Sequence, residues 1–188
     1  MRIAIVVFEG FDELDALGPY EVFRNAGLDA RLVTREPAER VTGSHGVAIE
    51  AQGTLDGSDD LVVVPGGGWN DRAERGAWGE ARRAELPRAL ARLHEEGAGL
   101  ASVCTGGMLL AVAGLLRGRP ATTHHAALDE LRESGAEVRQ ERVVDDGEIV
   151  TAGGVTSGID LALWIVEREL GREAADRVAA EMEHPRRA

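Results

Sequence analysis

Cys104 is the only cysteine in a chain of 188 residues, so no intrachain disulfide can form and zinc sites built from several thiolates are excluded. Its setting points to nucleophilic chemistry. It follows the apolar run Leu100-Ala101-Ser102-Val103 and precedes Thr105-Gly106-Gly107-Met108-Leu109-Leu110, which places it where a strand turns sharply into a helix. Such an elbow holds a side chain at the carboxyl edge of a sheet, where α/β folds bind ligands. The positive end of the following helix is then expected to favour a thiolate at neutral pH. A thiol that only packs in the core is the alternative.

Three other groups fall at comparable places. Asp15 comes after the run 3–8, within Asp12-Glu13-Leu14-Asp15 and just before a helix whose first turn Pro19 is expected to mark. It reads as a helix cap or, if paired with Cys104, as half of a coupled proton-sharing pair, with Asp12 and Glu13 as rival acids. Pro65-Gly66-Gly67-Gly68 follows the run 61–64 and offers the backbone N–H groups of Gly67 and Gly68 to a ligand as an oxyanion-type hole. The same glycines read equally as a plain strand-end turn, since they match neither a Walker nor a dinucleotide fingerprint. His124 and His125 follow the short extended stretch Pro120-Ala121-Thr122-Thr123. Adjacent side chains of an extended chain point to opposite sides, so one histidine is expected near the pocket and the other at the surface. His45 is expected in a loop and His94 on a helix surface. No metal-ligand spacing or cofactor fingerprint joins them, so neither a metal nor a cofactor is expected.

The elements that must position these groups alternate in type. Apolar, β-branched runs at 3–8, 30–34, 61–64 and 100–103 predict buried strands of a mostly parallel sheet, and helices are predicted over 19–25, 80–96, 106–115, 157–170 and 172–183. Gly27 and Gly171 close two of these helices, and Ser157 is the expected N-cap of the 157–170 helix. Segment 41–50, around Gly43-Ser44-His45-Gly46, predicts a hairpin or edge excursion. A second hairpin is predicted from 143–144 through Asp145-Asp146-Gly147 to 148–151, and both are expected at the periphery. The class is α/β, with residues 1–188 read as one domain.

Composition narrows the function further. With 33 acidic and 21 basic residues and a net charge of -12, the chain lacks the clustered cations of a nucleic-acid binder. Every basic residue is arginine, which removes Schiff-base catalysis and the Walker lysine. No apolar stretch approaches the ~20 residues of a membrane span, and no leader pattern precedes the first strand, so a cytoplasmic protein is expected.

The order of several motifs resembles the ThiJ/PfpI superfamily and, within it, the isonitrile hydratase branch. They are Gly18-Pro19-Tyr20-Glu21-Val22-Phe23, Pro65-Gly66-Gly67, Ser102-Val103-Cys104-Thr105-Gly106, Ala113-Gly114-Leu115-Leu116-Arg117-Gly118, Ala121-Thr122-Thr123-His124 and Thr151-Ala152-Gly153-Gly154-Val155-Thr156-Ser157-Gly158. The resemblance covers nearly the whole chain. It implies a flavodoxin-like α/β/α sandwich with the cysteine on a strained elbow, a homodimer, and a small-molecule substrate. By the same resemblance Cys104 is the nucleophile, Asp15 the acid/base carboxyl and Thr105 an assisting hydroxyl; Gly67, Gly68, His124 and His125 are the residues expected to bind the substrate. A protease-like branch would carry histidine where Thr105 stands, and a glyoxalase or deglycase branch a glutamate where Asp15 aligns. Two positions depart from the hydratase pattern: Ala16-Leu17 replaces a hydroxyl-bearing residue before Gly-Pro, and His125 stands where an indole is common. Aldehyde chemistry, a redox-responsive thiol and a non-catalytic binding module remain the alternatives to isonitrile hydration.

Overall fold

The computed structural model describes residues 1–186. Along the chain the elements are β1 (Arg2–Val6), α1 (Glu13–Asn25), β2 (Asp29–Val33), β3 (Arg40–Thr42), β4 (Ala48–Glu50), β5 (Leu61–Val64), α2 (Ala77–Arg83), α3 (Glu85–Glu95), β6 (Gly99–Ser102) and α4 (Gly106–Val112). They continue as β7 (Pro120–Ala121), a 3-10 turn at His125–Ala127, α5 (Leu128–Glu133), β8 (Glu137–Val138), β9 (Val143–Asp145), β10 (Ile149–Ala152), α6 (Ser157–Leu170) and α7 (Arg172–Glu181).

Six strands form the central sheet in the order β2-β1-β5-β6-β10-β9. Every pairing is parallel except β10 with β9. β5 and β10 are buried at all four positions, because helices cover both faces of the sheet. α1, α6 and α7 pack against one another, and α2, α3 and α4 form a second packed set. The result is a flavodoxin-like α/β/α sandwich. No helix among the described residues is long and apolar enough to cross a membrane.

The chain leaves β1 for β2 on one side, and β5 takes the other side, so the sheet reverses direction between β1 and β5. At such a switch point the connections diverge and leave a crevice at the strands' carboxyl ends. Ile5 pairs with Val63 and Val64 with Ser102, so β1, β5 and β6 end at nearly one level. The segments carrying Asp15, Gly66 to Gly68 and Cys104 all leave the sheet there.

Four sequence expectations need correction. α1 begins at Glu13, six residues before Pro19, because Asp12 caps it by accepting the Leu14 N–H at 3.1 Å. Gly18-Pro19 is instead where α1 meets α6: a Cβ on Gly18 would lie 3.3 Å from Ile159 Cγ1, and one on Gly158 3.2 Å from Pro19 Cγ. The predicted helix 80–96 is two helices broken at Ala84, which has φ +61°. Pro87 explains the break, since it lacks an N–H and its ring collides with the carbonyl of Arg83 in a continuous helix. Ser157 is the first residue of α6, and the cap position belongs to Thr156, whose hydroxyl accepts from Arg142 Nη2 at 3.1 Å. The predicted C-terminal hairpin is present, yet β10 lies inside the sheet beside β6, and β9 is the edge strand.

Candidate active site

Cys104 has φ +55°, a left-handed backbone that costs a non-glycine residue about 1–2 kcal/mol. The flanking bonds hold it there. Val103 N–H donates to Val64 O at 3.0 Å, Cys104 N–H donates to both Ala152 O (3.1 Å) and Gly153 O (2.9 Å), and Thr123 Oγ1 donates to Cys104 O at 2.7 Å. Gly106 completes the turn, because a Cβ there would stand 2.0 Å from Val64 O. The residue is only 6% exposed, and the nearby backbone N–H groups of Thr105 and Val155 favour its ionised form.

Asp15 is fully buried in the first turn of α1. Its Oδ2 accepts the Gly66 N–H at 2.9 Å, while Oδ1 has no hydrogen-bond partner of ordinary geometry among the described residues. The Cys104 thiol lies beside this carboxyl, and each group moves the other's proton affinity. Burial, and then the nearby Asp12 carboxylate, push Asp15 well above its ordinary value against the opposing contacts from Gly66 and Cys104. A buried carboxyl with so few donors holds its proton more tightly than an exposed one.

Burial also pushes the Cys104 thiol up to about 12, with the Asp15 carboxylate adding to the effect. The expected resting thiolate is therefore corrected: desolvation outweighs the seven-residue α4 and the two N–H groups at the sulfur. Cys104 and Asp15 titrate as a coupled pair.

Of the three acids near the start of α1, only Asp15 turns to the thiol. Asp12 is the helix cap, and its backbone N–H donates to Gly66 O at 2.8 Å. Glu13 faces the hairpin of β3 and β4, where Oε1 accepts from His45 N (2.8 Å) and Val47 N (3.2 Å) and Oε2 lies 2.7 Å from His45 Nδ1. His45 thus sits in a loop, as its sequence context predicts, but it is tied to α1. Asp12, Glu13 and His45 can each bring one ligand atom within 4.8 Å of the others, although Glu13 is already engaged by the hairpin. His94 lies on α3 with Nδ1 3.2 Å from Ala98 O.

Thr105 is buried, and its Oγ1 accepts the Gly67 N–H at 3.0 Å. Gly67 is held at φ +117° where a Cβ would stand 2.6 Å from Asp12 N, so the turn can approach α1 only with glycine there. The Gly67 N–H is consequently engaged inside the protein, whereas the Gly68 N–H has no internal acceptor among the described residues. His124 and His125 do not point apart as an extended chain would require. Their rings lie 4.2 Å apart, because a 3-10 turn starts at His125 and Ala126 N–H closes on His124 Nδ1 at 3.2 Å. His124 is half-buried against Gly154, and His125 is exposed.

Two contributors to the site carry no side-chain signature. The Gly66 N–H holds the acid, and the Val155 N–H, on a residue with φ +32°, favours the ionised sulfur. The glycine pair before Val155 and the helix after it were the only sequence signals available, since a donating peptide leaves no trace in residue type.

Residues 1–168 match the DJ-1/PfpI family. The chain belongs to that family. An isonitrile hydratase of Pseudomonas putida is 33% identical over 98% of this chain and 78% of its own length. A deglycase of Pyrococcus horikoshii is 28% identical over 89% of this chain and 96% of its own length. The crystal structure of a ThiJ/PfpI family protein from Pseudomonas syringae superposes with a TM-score of 0.87 at 28% identity, covering 100% of this chain and 76% of that one. The DJ-1/PfpI family thus includes proteins named for different reactions, and the features of the Cys104 site must carry the choice among them.

Proposed function

We propose that the protein hydrates isonitriles to N-substituted formamides through a thioimidate on Cys104. The observation that carries this reading is the fully buried Asp15 carboxyl, whose raised proton affinity places an acid beside the Cys104 sulfur. An isonitrile carbon needs both a nucleophile and a proton, and the pair supplies both at one atom's reach. The likeness to the Pseudomonas putida isonitrile hydratase supports it further. So does access: a linear isonitrile ends in a single carbon that can reach a sulfur only 6% exposed.

The reacting form of the pair carries one proton, on Asp15, with the Thr105 and Val155 N–H groups stabilising the thiolate. Sulfur forms a bond to the terminal carbon as Asp15 delivers its proton to that carbon, giving R–N=CH–S–Cys104. Asp15, now a carboxylate, takes a proton from water as the water oxygen adds to the same carbon, and passes that proton to nitrogen. The C–S bond then breaks, the hydroxyl proton returns to Asp15, and R–NH–CHO leaves. Thr105 orients the turn through Gly67, the Gly68 N–H, which has no acceptor among the described residues, is left available to developing charge, and His124 and His125 are assigned to the substituent. In this reading residues 1–188 act as one cytoplasmic domain in a homodimer, on a small molecule, with neither a metal nor a cofactor supplying the chemistry.

A second reading keeps the same pair but takes a reactive aldehyde, and the deglycase of Pyrococcus horikoshii favours it. The test is conversion of an aromatic isonitrile to its formamide by the wild type, Cys104→Ala and Asp15→Ala, with methylglyoxal in parallel. Turnover by the wild type that both substitutions abolish is expected. Consumption of methylglyoxal alone would replace this reading with the second.

A further inference from the structure

Two segments leave the Cys104 elbow in different directions. One runs from Gly67, bonded to Thr105 Oγ1, into Trp69 and Arg72. The other runs from Thr123, bonded to Cys104 O, through His124 and His125 into α5. They meet again at Glu130. Arg72 Nη1 and Nη2 each donate to a different oxygen of Glu130 at 3.0 Å, and Trp69 Nε1 donates to Glu130 Oε2 at 3.3 Å. The Arg72 guanidinium lies 4.2 Å from the Trp78 ring centroid, and Trp78 meets the edge of Trp69 at 5.2 Å.

The pair lies at the surface, with the Arg72 side chain 45% and the Glu130 side chain 34% exposed, but its geometry is specific. A planar fork on both carboxylate oxygens is geometrically specific, and its guanidinium is also seated on an indole. Trp69 is buried, and Arg72 adopts φ +55°, a conformation that persists only where the surroundings over-determine it. Contacts therefore close a ring from Thr105 through Gly67, Trp69, Arg72, Glu130 and the histidine segment back to Cys104.

We propose that Arg72 and Glu130 are positioning residues that clasp the Gly66 to Gly68 segment to the His124-His125 segment and so fix how wide a group can approach Cys104. The clasp acts through the two segments and touches no reacting atom. As a specificity device for isonitriles it rests on the hydratase reading, under which it would limit the bulk of the isonitrile substituent. The clasp itself is a statement about access to the thiol and can be tested without turnover.

The experiment measures labelling of Cys104 in the intact protein at pH 8.5 by small iodoacetamide and by a bulky aryl maleimide. Wild type, Glu130→Gln, Arg72→Ala and the double variant are compared, with the melting temperature of each. Opening the clasp should raise the bulky-to-small rate ratio by about 2- to 30-fold, the range for residues that couple to a site without touching it. The double variant should match the single ones, because both break one contact. An unchanged ratio, or equal acceleration of both reagents as local or global unfolding would give, overturns the proposal. Glu130→Gln, which keeps the side chain's shape, carries the test if Arg72→Ala does not fold. Isonitrile kinetics on the same variants should then raise kcat/KM for bulky substituents relative to slim ones. If no variant or wild type turns over isonitriles while the labelling ratio still shifts, the hydratase reading fails and the clasp stands.

Discussion

Gly66 donates its N–H to Asp15 Oδ2 at 2.9 Å, and its carbonyl accepts the Asp12 N–H at 2.8 Å. The turn after β5 and the start of α1 are thus stitched together by backbone atoms on either side of the acid. Residue 66 also cannot carry a side chain, since a Cβ would fall 2.4 Å from Thr105 Oγ1. The acid, the turn and the nucleophile's neighbour are one packed unit, so the position of the Asp15 proton relative to Cys104 is set by the fold.

Asp15→Asn keeps an oxygen for the Gly66 N–H but cannot cycle a proton. Isonitrile turnover is expected to fall by about 10²- to 10⁴-fold in kcat, the usual contribution of a positioned acid or base, with no loss of melting temperature at neutral pH. Steady-state kinetics and thermal melting on one preparation check it. A loss confined to KM would assign Asp15 to binding instead.

The same carboxyl makes stability depend on pH in a defined direction. Asp15 holds its proton more tightly in the folded chain than at its ordinary value of 3.8. Its contribution to stability is therefore full below that value and is lost as pH rises toward the raised folded one. The slope is at most about 1.4 kcal/mol per pH unit for a single proton. Urea unfolding of wild type and Asp15→Asn from pH 4 to 8 should show the variant gaining relative to wild type as pH rises. Parallel curves would mean that Asp15 ionises normally.

Alkylation of Cys104 should report its displaced thiol. With the folded value near 12, the rate in native protein should still be climbing at pH 9.5, and at pH 8 it should fall well below that of the urea-unfolded chain. Iodoacetamide kinetics followed by intact mass resolve the two. A plateau below pH 8 would restore the resting thiolate that the elbow's sequence context predicts.

That mismatch marks the boundary of what the sequence carried. The strand-turn-helix around Cys104, the parallel β1, β5 and β6, and the exits of Asp15 and Gly66 to Gly68 at one sheet edge were legible, because apolar runs and glycines encode them locally. The proton state of Cys104 was not, since it depends on how deeply a sulfur two strands away from β1 is buried against Asp15. β10 escaped recognition as an interior strand for a similar reason: its hairpin with β9 is local, whereas its pairing with β6 spans nearly fifty residues of chain. For the His124-His125 pair the expected half-buried and exposed rings are there, but they do not point apart, because one 3-10 turn overrides the side-chain geometry of an extended run. In each case a long-range contact or a single turn overrode a sound local pattern.

Glu13 offers the final test, since it shows why Asp15 and not its neighbour serves the thiol. Burial raises the Glu13 carboxyl, but bonds from the His45 ring and from the His45 and Val47 N–H groups more than offset this and leave it below its ordinary value of 4.5. A carboxyl so depressed adds stability above that ordinary value and loses it as pH falls through the folded one. Its hydrogen bonds hold the tip of the hairpin between β3 and β4 on the start of α1. Glu13→Ala should therefore speed amide exchange at His45 and Val47 by a local opening of about 1.5–3 kcal/mol, the usual value of bonds to a charged group, and leave exchange in β5 and β6 unchanged. Hydrogen exchange followed residue by residue at pH 7 checks this, and the protection should also fade in wild type as the pH is lowered toward 3. Uniform loss of protection across the sheet would instead make Glu13 part of the global core. A local loss would separate the two carboxyls by role, with Glu13 fastening the hairpin and Asp15 left to exchange protons with Cys104.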